Sequence, residues 1–115
     1  MIAIMLRKPP YGSIDAAEAV RYALGGISEG MRTALILIDG GVLAARAGQE
    51  AAPAGFAEIS AAIADAVSMG VEVYAEKTSL RREHLEPEEM IEGIKVVNGI
   101  DIASIVGEAK TAFIF

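Results

Sequence analysis

The side chains of this chain that could do chemistry fall in three short polar stretches, each directly after an apolar run. The first, Arg7 to Ser13, carries Tyr11. The second, Asp39 to Val42, carries Asp39 and Gly40. The third, Glu76 to Arg82, carries Glu76, Lys77 and Ser79, with His84 just beyond. Asp39 and Glu76 are a carboxylate pair of the kind used for acid–base work. Taken singly, each residue is also an ordinary member of a solvated rim, and Asp39 most simply steadies the Gly40-Gly41 turn. His84 is the single histidine, with Glu83 and Glu86 nearby. One imidazole among scattered carboxylates falls short of a metal-ligand pattern, so we read it as a loop residue and expect no metal. Glu83, Glu86, Glu88, Glu89 and Glu92 read as a solvated acidic face with charge favourable near a helix start.

Other chemistries are excluded by what the chain does not contain. It has no cysteine, which removes a disulfide scaffold, a thiolate metal site and a cysteine nucleophile together. No G-x-G-x-x-G or G-x-x-x-x-G-K-[ST] loop is present. No cofactor is therefore expected.

These stretches need elements to position them. Ile2 to Leu6 is continuously apolar, as a strand buried on both faces must be. Thr33 to Ile38 repeats that pattern, and Val71 to Ala75, Lys95 to Val97 and Ala112 to Phe115 are three further short strands. Pro9-Pro10 excludes helix after the first strand. Ala17, Val20, Leu24 and Ile27 recur at helical spacing, with Ser13 or Asp15 as the cap and Gly25, Gly26 and Gly30 weakening and ending the helix. Val42 to Gln49 is expected to form a short helix before the loop Glu50 to Pro53. Phe56, Ile59, Ile63 and Val67 mark a long amphipathic helix closed by Gly70. Lys77 to Leu85 has short helical potential. Pro87 at a first turn, with Met90, Ile91 and Ile94 behind it, predicts another helix. Asp101 is expected to cap the last, around Ile102, Ile105 and Val106. Strands alternating with helices imply a parallel sheet covered on both faces. Ligands of such sheets bind beyond the carboxyl ends of the strands, which is where Tyr11, Asp39, Gly40, Glu76, Lys77, Ser79 and His84 would converge.

The composition agrees with this plan. The chain has 115 residues, 53% hydrophobic and 23% charged, which fits one small folded domain spanning 1–115 and excludes a disordered chain. Aromatics are 5%, so aliphatic side chains and alanine must fill the core. Ten basic against 16 acidic residues leave a net charge of −6, which argues against direct nucleic-acid binding. The opening apolar stretch is too short for a signal-peptide core. The longest apolar region, Pro53 to Val71, carries Glu58 and Asp65 and is no membrane span. A cytoplasmic protein with no membrane partner is the expectation.

Several segments, in order, resemble the DsrE/DsrF-like family of sulfur-relay proteins, and within it the DsrF or TusC branch. They are Lys8-Pro9-Pro10-Tyr11-Gly12-Ser13 after the first strand, Ile38-Asp39-Gly40-Gly41-Val42 after the second with one glycine extra, Gln49 shortly after it, Ser79-Leu80-Arg81-Arg82-Glu83 with Glu83 where the family has glycine, and the closing Glu108 to Phe115. The resemblance spans the whole chain. It implies a three-layer α/β/α sandwich with a five-stranded parallel sheet, flavodoxin-like in its layers, that assembles with itself or with homologous DsrE-like subunits into trimers or hexamers. In relay members a cysteine near the end of the third strand carries a persulfide. Matching Leu80 to Arg82 puts that position at Ala75 or Glu76, neither of which is a thiol, and a thiolate is the nucleophile of that chemistry. The resemblance thus implies a cysteine-free, non-catalytic relay subunit that acts through cysteine-bearing partners. The other class left open is a homo-oligomer of the same fold that binds a small ligand or is purely structural.

Overall fold

The computed structural model describes residues 1–47 and 56–115, with side chains from 59 in the second helix. Gln49 and the expected loop Glu50 to Pro53 lie outside the described residues, as does the side chain of Phe56. Strands β1 (Ile2–Leu6), β2 (Thr33–Leu37), β3 (Glu72–Glu76), β4 (Lys95–Val97) and β5 (Thr111–Ile114) form one sheet in the order β4-β3-β2-β1-β5. All four pairings are parallel, with Ile4 opposite both Leu35 and Phe113, Leu35 opposite Val73, and Tyr74 opposite Lys95. The continuous apolar runs explain the centre of this order. Every residue of β2 is buried, as a strand covered on both faces must be.

Four α-helices are described: α1 (Asp15–Ser28), α2 (Phe56–Ser68), α3 (Lys77–Arg82) and α4 (Gly99–Glu108). Side chains of one sheet face, including Ile4, Leu35, Leu37 and Val73, pack with Ala16 and Val20 of α1, Ile63 and Ala66 of α2 and Leu80 of α3. The opposite face is covered by α4, where Ala3, Ile36 and Ile102 are buried with Met5, Tyr74, Val97 and Ile105 around them. These are three layers, as expected, and they are unequal in depth. Among the described residues no helix is long and apolar enough to cross a membrane.

Some expected elements take a different form. Gly25 and Gly26 do not end α1, which runs to Ser28. A Cβ on Gly26 would lie 2.7 Å from Thr33 Oγ1, so this glycine lets the helix sit close against β2. Neither Ser13 nor Asp15 is the cap residue of α1; Ile14 holds that place with no side-chain bond, although Ser13 Oγ accepts from Asp15 N–H at 3.3 Å. The expected helix from Val42 is a 3-10 segment that starts earlier, spanning Asp39–Ala45. The helix expected after Pro87 is one 3-10 turn, Pro87–Glu89. The chain beyond it pairs with the end of the 39–45 segment: Ile91 N–H donates to Ala45 C=O and Ala47 N–H to Glu89 C=O. Those partners, with Gly93 at φ +95°, replace the intrahelical bonds. Asn98 rather than Asp101 caps α4. Its side chain accepts from Asp101 N–H at 2.9 Å, and Asp101 reaches back to Asn98 N–H, a reciprocal capping box.

Candidate functional site

Parallel strands bring the loops after β1, β2 and β3 side by side at one end of the sheet. Two glycines make the close approach there possible. A Cβ on Gly41 would fall 2.1 Å from the carbonyl oxygen of Leu6, and one on Gly40 would fall 3.1 Å from Pro9 Cδ. The loop after β2 therefore lies directly on the end of β1 and on the proline pair. Asp39 starts it in the left-handed region at φ +50°, which aspartate tolerates better than most residues.

Ser79, on the first turn of α3, is fully buried. Its Oγ accepts from Asp39 N–H at 2.8 Å, and its hydroxyl donates to Glu76 Oε1. The hydroxyl thus joins the loop after β2 to the end of β3. A hydroxyl that is fully buried, with both its partners supplied, is a staple rather than a nucleophile, because no open side remains for a substrate. The carboxylate of Asp39 points elsewhere. Arg82 Nη1 donates to Asp39 Oδ1 at 3.1 Å, and Arg7 Nε lies 3.7 Å from Asp39 Oδ2. Glu76 lies against the start of α4, where a Cβ on Gly99 would meet its Oε2 at 4.0 Å, a favourable place for a carboxylate. Asp39 and Glu76 are therefore linked through Ser79 and the Asp39 backbone. Each carboxylate has its own partners, which fits the turn-stabilising role of Asp39.

The remaining expected residues divide. Gly40 belongs to this cluster by its packing on Pro9. Tyr11 stands half exposed on the loop after β1. Lys77 lines a separate cleft with Arg81 and His84 on the far side of α3. Ala75 is buried in the core and Glu76 is partly exposed at the strand end. Arg7 and Arg82 were not among the expected site residues. Their signal was the acidic turn at 39 set between two basic loop positions, which becomes readable once the strands are known to be parallel neighbours. The switch point of the strand order falls between β1 and β5, where Arg7 N–H donates to Phe115 C=O, so the Asp39 cluster sits one strand away from it.

At the other end of the sheet, Arg32 grips Glu72 with two bonds, Nε to Oε2 at 2.7 Å and Nη2 to Oε1 at 3.1 Å, and Tyr74 donates to the same carboxylate. The Arg32 guanidinium holds Glu72 below the usual carboxylate range, while burial and the bond to Glu72 hold the Tyr74 phenol above its usual value. Among the described residues, no group of three or more histidine, cysteine, aspartate or glutamate side chains is placed to hold a metal.

The architecture has known counterparts. The YchN protein of Escherichia coli superposes with a TM-score of 0.82 at 19% identity, over 99% of this chain and 97% of that one. A protein of unknown function from Methanobacterium thermoautotrophicum gives 0.75 at 14% identity, over 96% and 95%. At these identities the likeness is one of fold. Among curated sequences, an uncharacterised protein of Methanopyrus kandleri is 27% identical over all of this chain and 93% of its own length. One from Methanocaldococcus jannaschii is 26% identical over 97% of this chain and 96% of its own. The DsrE/DsrF-like family model matches from residue 1 to residue 115. With the whole chain matched and a five-stranded parallel sheet beneath it, this protein belongs to the DsrE/DsrF-like family.

Proposed function

We propose that residues 1–115 act as one domain and as a cysteine-free, TusC-like subunit of a cytoplasmic sulfur-relay assembly. The subunit contributes surface and shape, and cysteine-bearing homologous partners carry the sulfur. One observation carries this reading. At the end of β3, where the family resemblance places the sulfur carrier, Ala75 is sealed in the core and Glu76 is tied to Ser79. No thiol exists anywhere in the chain, and the neighbouring hydroxyl and carboxylates are engaged in structure.

The assembly half of the reading rests on surface the chain leaves open. Parallel sheets are ordinarily covered on both faces, and one ten-residue helix covers one face here. On that side Ile100 is 81% exposed and Ile114 64% exposed. β5 is exposed along its whole length at the edge of the sheet, and unpaired edges are ordinarily protected. These surfaces also suit a second copy of the same chain, so a homo-oligomer without sulfur transfer is the second reading. Mixing the purified chain with a cysteine-bearing DsrE-like subunit from the same organism, followed by sedimentation velocity, separates the two. The proposal expects a mixed complex, with persulfide label on the partner alone. Failure to mix, or a stable sulfur adduct on this chain, contradicts it.

A further inference from the structure

A cleft of about 570 Å³ opens on the side of α3 away from Asp39. That is within the range of small-molecule sites, roughly 300–1,000 Å³. Lys77 and Arg81 stand one helical turn apart, so they share a face of α3, and His84 follows at its end. Across from them are Glu86 and Glu88, with Leu80 and Leu85 contributing apolar wall. Among the described residues, Arg7, Arg21, Arg32, Arg46 and Arg82 all have a carboxylate within 4 Å, and Lys8, Lys77, Arg81, Lys95 and Lys110 have none. Lys77 and Arg81 are the two of these that stand side by side on one helix face, and they line a cleft whose own carboxylates, Glu86 and Glu88, lie beyond ion-pair distance.

The end of α3 adds an independent observation. Three helices close with the same pair of backbone bonds, the Schellman arrangement. In α1 Met31 N–H donates to Gly26 C=O and Gly30 N–H to Ile27 C=O; in α2 Val71 donates to Ala66 and Gly70 to Val67; in α3 Leu85 donates to Leu80 and His84 to Arg81. The left-handed residue is Gly30 at φ +80° in the first and Gly70 at φ +103° in the second. In the third it is His84 at φ +58°. Glycine takes that conformation freely, and histidine takes it at a cost, though at a smaller one than most residues. The one helix end that carries this strain is the one whose side chain lines the cleft, and strain held in place is characteristic of ligand sites.

We propose that this cleft binds a small phosphate monoester. Lys77, Arg81 and His84 take its dianionic head, and Glu86 and Glu88 accept hydrogen bonds from hydroxyls on its tail. A guanidinium beside an ammonium matches phosphate in both charge and donor geometry. The site is independent of the relay reading, since it uses neither Asp39, Ser79 nor the strand-end position.

The test is an amide NMR titration of the whole chain with glycerol 3-phosphate, inorganic phosphate and acetate. The expected result is saturable shifts confined to residues 77–88, with glycerol 3-phosphate binding tighter than inorganic phosphate and acetate weakest. The double variant Lys77→Gln/Arg81→Gln should bind about tenfold or more weakly. His84→Gly is the diagnostic variant. It should raise the unfolding temperature by removing the strain, and still weaken glycerol 3-phosphate binding severalfold. Absence of saturable shifts overturns the proposal. So does binding that survives the double substitution, acetate binding as tight as the phosphate ester, or a His84→Gly variant that is stabilised with its affinity intact.

Discussion

Replacing Ser79 by alanine tests whether the strand-end cluster is a staple. The side chain is fully buried, and its oxygen serves Asp39 N–H at 2.8 Å and the Glu76 carboxylate. Removing it strands the Asp39 amide, which costs about 1–3 kcal/mol. It also frees Glu76, whose partly exposed carboxylate regains water, so that loss is about 1 kcal/mol. Only one atom is lost, so the cavity contribution is small. The sum is about 2–4 kcal/mol, equivalent to a fall of roughly 8–16 °C in Tm for a chain of this size. Urea unfolding should show the loss as a lower midpoint at unchanged m-value. Glu76→Ala leaves the Asp39 bond in place and should cost less, about 1 kcal/mol. A Ser79→Ala change within about 0.5 kcal/mol, the scale of an ordinary surface substitution, would refute the reasoning, as would a Glu76→Ala loss equal to or larger than that of Ser79→Ala.

Three further outcomes follow from the same geometry. Gly41→Ala should destabilise by at least about 3 kcal/mol, because the new Cβ meets the Leu6 backbone at 2.1 Å and that backbone is fixed in β1; normal unfolding of this variant would show the loop free to lift away. Glu72→Gln should cost about 0.5–1 kcal/mol at neutral pH, given the solvent exposure of Arg32. Because Glu72 titrates lower in the folded than in the unfolded chain, its contribution is full above the ordinary glutamate value of about 4.3 and is lost as pH falls through the lower folded value. Wild type and variant should therefore converge in acid, and a gap that widens there contradicts the pairing. At the strand end, a Glu76→Cys thiol should react with a maleimide in the folded protein and an Ala75→Cys thiol should not, since Ala75 is fully buried; equal reactivity at both positions would contradict the placement of β3.

The centre of the sheet was legible in the sequence because β1 and β2 are continuous apolar runs, the pattern of strands buried on both faces, whereas β5 carries a similar run and is exposed at the edge. α1 and α2 were legible for the complementary reason, one apolar face each. The segment after Pro87 misled because Met90, Ile91 and Ile94 are apolar at helical spacing, yet they are held by Ala45 and the neighbouring chain rather than by helical bonds. Asn98 and Asp101 both belong to the capping box of α4, and composition alone does not say which of the two is outside the helix. The meeting of Asp39 with Ser79 follows from parallel neighbours and was within reach. That Lys77 turns from this cluster towards Arg81 and His84 depends on side-chain direction at the first turn of α3. The left-handed histidine carried no signal, since glycine usually marks that position.

Native mass spectrometry of the tagged protein isolated from its own cells bears most directly on the claim that this chain serves a relay it cannot perform. The account predicts a complex containing a second, cysteine-bearing subunit of DsrE-like size, with bound sulfur on that subunit. An assembly of this chain alone would contradict it.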